Sequence, residues 1–300
     1  MNRRRFVELL AASAALPLTT DEESQQILMR AIPSSGERIP VIGMGTWQTF
    51  DAGRSAAERT RLLAVLQAFF DRGGQLIDSS PMYGRSETVV GDLLPRLRSR
   101  PRLFAASKVW IPGKRLGSVQ MEESRSLWGI ARFDLMQVHN LLDWEAHLDT
   151  LKEWKSRGRV RYIGVTTSHG RRHDELERIM NREPLDFVQF TYNLSDRSAE
   201  SRLLPLARER RIAVILNRPL DGGNLFPSVR GRSLPPWAME FDCANWAQYF
   251  LKFVVSHPSV TCAIPATSQV AHMVENMGAC TGRLPDASMR TRMAQHFASM

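Results

Sequence analysis

The chain has 300 residues, of which 43% are apolar and 24% charged, a balance that excludes a disordered or fibrous protein and supports one large core. Its formal net charge of +9 raises nucleic acid as a partner, but the arginines are dispersed among acids, as at Arg96, Arg98, Arg100 and Arg102 or Arg208, Arg210 and Arg211. No basic stripe with interleaved aromatics is present, so no nucleic-acid partner is expected.

The N-terminus carries Arg3-Arg4-Arg5-Phe6-Val7 and then a mildly apolar run from Leu9 to Leu18. That run is too short to span a bilayer as a helix, so residues 1–20 read as an export signal and no stable membrane insertion is expected. Ala12 and Ala14 suit a cleavage site, and a second position lies nearer Thr19. Paired arginines ahead of Phe6 resemble the twin-arginine motif, which implies export of the folded protein through that machinery to the periplasm. The alternative is the basic N-terminus of a cytoplasmic protein.

Residues 28–300 contain no linker-like tract and read as a single domain. Residues 32–40, with Ser34-Ser35-Gly36-Glu37 at the centre, predict a short β-hairpin. Eight further strands are predicted at residues 41–46, 75–80, 103–109, 135–140, 162–167, 187–193, 213–220 and 261–267. Between them apolar residues recur at helical spacing, as in Leu62, Leu66, Phe69 and Phe70 before Gly73, Leu148, Leu151 and Trp154 before Gly158, and Leu203, Leu206 and Ala207 before Ile212. Strands alternating with helices require parallel pairing through right-handed crossovers, and eight such units close into a (β/α)8 TIM barrel. A doubly wound sheet would announce itself by GxGxxG, and Gly43-Met44-Gly45 lacks the third glycine.

In such barrels the working residues stand at the C-terminal ends of different strands. Asp78 ends the second barrel strand, Tyr83 follows in the loop Pro81-Met82-Tyr83-Gly84, Lys108 ends the third and His139 the fourth. Lys108 lies in an apolar strand, where an unpaired ammonium is costly, and Asp78 is its candidate partner. Cys243, Cys262 and Cys280 form no CxxC and have no histidine at ligand spacing, so they read as small core residues and no metal site is expected. A metal-dependent barrel hydrolase would need clustered His and carboxylate ligands, which the sequence does not show.

From about Ile39 to Asn276 the sequence resembles the aldo-keto reductase family. The likeness rests on Gly43-Met44-Gly45-Thr46, Ile77-Asp78-Ser79-Ser80-Pro81-Met82-Tyr83-Gly84, Ser107-Lys108, Gln137-Val138-His139, residues 158–165 and Ile264-Pro265-Ala266-Thr267-Ser268. It implies that hydride passes from a nicotinamide to a carbonyl carbon while Tyr83 donates a proton to the oxygen. Lys108 then stabilises the phenolate, Asp78 holds Lys108, and His139 polarises the carbonyl.

The same resemblance implies a cofactor lying over the barrel mouth. Thr166, Thr167 and Gln189 correspond to the residues that hold the carboxamide, and Asn217, Arg218, Pro219 and Leu220 form the loop after strand seven. Thr267, His272, Glu275 and Asn276 face its far end. Ala266 and His272 stand where a lysine and an arginine commonly meet a 2′-phosphate. On the resemblance NADPH is expected, with NADH as the alternative. Trp47, Met82, Trp110, Asn140 and Trp144, just beyond strand ends, are the expected substrate-facing residues, and their aromatic character points to an apolar or cyclic aldehyde or ketone. The competing reading is a regulatory barrel that retains NADP(H) as a bound ligand without turnover.

Overall fold

Two short antiparallel strands, β1 (Met29–Ala31) and β2 (Arg38–Pro40), form the predicted hairpin and pair in register from Met29 with Pro40 to Ala31 with Arg38. These coordinates come from a computed structural model that describes residues 26–53, 55–99 and 102–300. The expected export signal at residues 1–20 lies outside the described residues.

After the hairpin, eight strands run in parallel: β3 (Met44–Gly45), β4 (Leu76–Asp78), β5 (Phe104–Val109), β6 (Phe133–Val138), β7 (Val160–Thr166), β8 (Phe187–Thr191), β9 (Ala213–Asn217) and β10 (Cys262–Ala263). Each pairs with its neighbour in sequence order. Parallel bridges from Ile42 to Ala263 and from Gly45 to Ala266 bring the first strand back to the last. Gly45 permits that closure, because a Cβ there would lie 2.9 Å from the Ile264 carbonyl oxygen. The sheet is therefore a (β/α)8 barrel.

The crossovers are α1 (Ala56–Asp71), α2 (Ser86–Leu93), α3 (Lys114–Trp128), α4 (Trp144–Ser156), α5 (His173–Arg182) and α6 (Leu203–Glu209). The final turn of the barrel adds α7 (Phe226–Val229), α8 (Trp246–Val255), α9 (Val270–Gly278) and α10 (Ala287–Ala298). Helix α1 starts where Ser55 Oγ accepts from Glu58 N–H, and it buries Leu62, Val65, Leu66 and Phe69 against the strands.

Strand parity divides the core into two layers. Leu76, Phe104, Ala106, Leu135, Phe187, Ala213, Ile215 and Cys262 fill the barrel interior with Ile32 and Ile39 from the hairpin, which plugs one end. Their strand neighbours Ile77, Ala105, Met136, Val188, Val214 and Ala263 face the helices. The three cysteines are free and buried.

Several ladders stop earlier than the sequence pattern predicts. The strand expected at 135–140 ends at Val138, that at 213–220 ends at Asn217, and those at 41–46 and 261–267 shrink to two residues each. The chain leaves the barrel through left-handed backbone at Asn140 (φ 52°), Leu141 (φ 54°) and Arg218 (φ 49°), which removes those residues from the ladder. Leu141 stays buried, and buried side chains read as strand until the backbone is seen.

Candidate active site

The inward rows of the barrel continue upward into polar residues. After Leu76 the next inward position on β4 is Asp78; after Phe104 and Ala106 on β5 it is Lys108; after Leu135 on β6 it is Gln137. Parity alone thus converts three strand ends into one cluster. Lys108 Nζ bonds Asp78 Oδ2 and the Ser79 carbonyl, the latter at 2.8 Å. Asp78 Oδ1 accepts from both Gln137 Nε2 and Gln189 Nε2 at 3.1 Å each, so both oxygens of the carboxylate are occupied. Burial opposes the Lys108 charge, but the attraction of Asp78 and then Tyr83 outweighs it and holds the ammonium above the ordinary lysine range.

Tyr83 hangs from a turn closed by its N–H on the Ser80 carbonyl at 3.0 Å. The next residue, Gly84, has φ +59°, and a Cβ there would meet the Asp51 carboxylate at 2.4 Å. Only glycine fits, since Asp51 Oδ1 is held close by the Arg85 N–H at 2.9 Å. The turn places Lys108 Nζ 5.0 Å from the Tyr83 ring centroid. Burial raises the tyrosine hydroxyl above its usual range, and the Lys108 charge works against that rise.

His139 meets Tyr83 edge to face, with ring centroids 5.7 Å apart and an interplanar angle of 85°. Its Nδ1 lies 2.9 Å from Ser80 Oγ. Burial first, and the Lys108 charge second, push the imidazole down to about 2, so His139 is neutral in ordinary conditions.

Asp78, Tyr83 and His139 face a cleft of about 640 Å³ at the C-terminal end of the barrel, with Lys108 buried behind them. All of the residues expected to hold the cofactor line it: Thr166, Thr167, Gln189, Asn217, Arg218, Pro219, Leu220, Thr267, His272, Glu275 and Asn276. Several of their polar atoms already have protein partners. Asn217 Nδ2 donates to the Thr167 carbonyl at 2.8 Å, and Arg218 is paired with Asp221 at 2.8 Å. Thr167 is 2% exposed, and its buried Oγ1 has no hydrogen-bond partner among the described residues. An orphaned buried hydroxyl on a cleft wall fits a ligand amide, and the residues present therefore fit a nicotinamide group.

The expected substrate-facing residues divide. Trp47, Met82 and Asn140 line the cleft, Trp47 and Met82 being exposed. Trp110, also exposed, stands beside it with its ring centroid 6.4 Å from that of His139. Trp144 does not reach the cleft wall; as the first residue of α4 it packs against the hydrophobic core. An aromatic just after a strand end looks the same in sequence whether the next turn points it at the mouth or at the helix layer.

Sequence reasoning missed Arg171, His169 and Phe226 on the cleft wall, and it missed Ser80 behind His139. The polar run Ser168-His169-Gly170-Arg171 directly after a barrel strand was the available signal for the first two.

Comparison with known proteins agrees with this fold. A methylglyoxal reductase of Escherichia coli K12 is 28% identical over 268 residues, covering 87% of this chain and 92% of the relative. An NADH-specific methylglyoxal reductase of the same bacterium is 27% identical over 243 residues, covering 69% and 72%. The fold is shared with an aldo/keto reductase from Klebsiella pneumoniae solved with NADP and acetate, at a TM-score of 0.70 and 24% identity over 87% of this chain and 93% of that one. It is shared equally with a glycerol dehydrogenase from Gluconobacter oxydans, at a TM-score of 0.74 and 18% identity over 90% and 95%. The sequence profile of the aldo/keto reductase family matches residues 41–294, nearly the whole barrel, and this chain belongs to that family.

Proposed function

We propose that this chain reduces the carbonyl group of an aldehyde or ketone to an alcohol, using NAD(P)H bound across the barrel mouth and Tyr83 as the proton donor. The observation that carries this reading is the buried Asp78–Lys108 pair set against the Tyr83 ring, with neutral His139 beside it.

When bound, the nicotinamide supplies a hydride to the carbonyl carbon. Tyr83 breaks its O–H bond and delivers that proton to the oxygen, so the C=O becomes CH–OH and the phenolate regains a proton from solvent. Lys108 stabilises the negative charge that gathers on the phenol oxygen, an effect strengthened because its ammonium is fully buried. Asp78 keeps Lys108 charged and in place. His139 donates a hydrogen bond to the carbonyl oxygen. Thr166 and Thr167 would hold the carboxamide of a bound cofactor, and Thr267, His272, Glu275 and Asn276 would receive its adenine end.

Support for the cofactor comes from the relatives: the Klebsiella structure contains NADP, and one Escherichia coli relative is named as NADH-specific. NADPH is the first donor to test and NADH the second. Trp47, Met82 and Trp110 at the mouth favour an apolar or cyclic substrate over a small hydrophilic one. The paired arginines and apolar run at the N-terminus support delivery to the periplasm through the twin-arginine machinery. Fractionation of cells expressing the chain, with and without Arg3→Lys and Arg4→Lys, tests that delivery.

The enzymatic test is loss of reduced-cofactor absorbance with a panel of aldehydes, ketones and quinones. Tyr83→Phe is expected to lower kcat by about 10²–10⁴-fold while cofactor affinity is retained. Unchanged turnover in that variant overturns the acid assignment. Tight cofactor binding without turnover by the unaltered chain favours a regulatory barrel.

A further inference from the structure

Ser80 is wholly buried at the exit of β4, two residues beyond Asp78, and its hydroxyl lies 2.9 Å from Nδ1 of His139. The same oxygen accepts the Met82 N–H at 3.3 Å. A serine hydroxyl has one proton to give. Among the described residues the only acceptor recorded for it is His139 Nδ1.

Two neutral tautomers of His139 fit that contact, and they differ in what they present to the cleft. If Nδ1 carried the proton, Ser80 Oγ would accept twice, its own proton would be left without an acceptor in a buried pocket, and Nε2 would turn a lone pair toward the substrate oxygen. If Nδ1 accepts, every group is satisfied and Nε2–H points its proton into the cleft. The imidazole has little freedom to escape the choice, since Tyr83 meets its ring edge at 5.7 Å and Trp110 stands at 6.4 Å.

We propose that Ser80 is a positioning residue: its hydroxyl donates to His139 Nδ1 and fixes the imidazole with its proton on Nε2, facing the carbonyl oxygen. The role in turnover rests on the reductase reading, whereas the tautomer itself does not. A single buried hydroxyl thus determines whether His139 attracts or repels the oxygen.

Nitrogen-15 NMR of the full chain reads the tautomer directly, with the His139 signals identified by their loss in His139→Asn. The expected result is an unprotonated Nδ1 and a protonated Nε2 in the unaltered chain. Ser80→Ala should gain the Nδ1–H form, lower kcat roughly tenfold and leave cofactor affinity unchanged, while Ser80→Thr keeps the original tautomer. An unaltered chain with the proton on Nδ1, or a tautomer unmoved in folded Ser80→Ala, overturns the proposal whatever the activity. The expected tautomers in a chain without carbonyl turnover would support the Ser80 contact and count against the reductase reading.

Discussion

Lys108 and Asp78 form an ion pair sealed from water, with 0% of the lysine side chain and 2% of the aspartate side chain exposed. Such a pair is costly to assemble and more costly to break, because removing either partner strands the other charge in the barrel. Lys108→Met and Asp78→Asn should each lower stability by roughly 3–5 kcal/mol. The double variant should lose less than the sum. Urea unfolding measures both effects, and strictly additive losses would show that the pair is not coupled. Turnover should fall on the order of 10²-fold or more in all three variants.

The shifts at the site also set the pH profile of reduction. His139 is pushed down to about 2 and so stays neutral through the working range, while Tyr83, raised by burial against the opposing Lys108 charge, keeps its proton. In the proposed mechanism the reacting form is the protonated tyrosine, so kcat/KM should be flat through neutral pH and fall only above the ordinary phenol value of about 10. An inflection near the free-histidine value of about 6.5 would mean that His139 titrates during turnover.

Stability should respond to pH in the opposite quarter. The folded-state values of His139 and His257 are depressed, to about 2 and about 4, in both cases first by burial and next by a neighbouring cation. Below about 6.5 the unfolded chain therefore binds more protons than the folded one, so stability is full above that pH and falls as pH drops. The His257 contribution levels off below about 4, while that of His139 continues toward about 2. Between pH 8 and pH 5 the loss from His139 alone is about 2 kcal/mol. Unfolding at the two pH values should show a smaller loss in His139→Asn than in the unaltered chain.

Thr167 separates binding from folding. Among the described residues its hydroxyl is buried without a partner, whereas its backbone N–H donates to the Gln189 carbonyl at 2.8 Å. Thr167→Val keeps the shape and the backbone bond, so stability should stay level or rise by up to about 1 kcal/mol. Cofactor affinity should weaken roughly fivefold if that hydroxyl receives the carboxamide. A fluorescence titration with NADPH measures it, and unchanged affinity would remove Thr167 from the cofactor site.

The sequence by itself determined the barrel and which polar side chains its strand ends turn inward. Alternation along a strand is a local property, so once Phe104 and Ala106 face inward, Lys108 must do so, and the same parity carries Leu76 to Asp78 and Leu135 to Gln137. Tyr83 was legible from its place in the loop Pro81-Met82-Tyr83-Gly84 just beyond a strand end and from the resemblance of that motif to the family's. Only the tertiary structure decided the contacts made across the barrel. Ser80 meets His139 over 59 positions of sequence, and Gln189 reaches Asp78 over 111. Nothing in the neighbours of those residues encodes such distances. The same holds for Trp144, which its position after a strand assigned to the mouth and which the turn into α4 delivers to the core. Side-chain parity is set by the local backbone, whereas partner choice and loop direction are set by the closure of the barrel, which brings strand ends together only once all eight are in place.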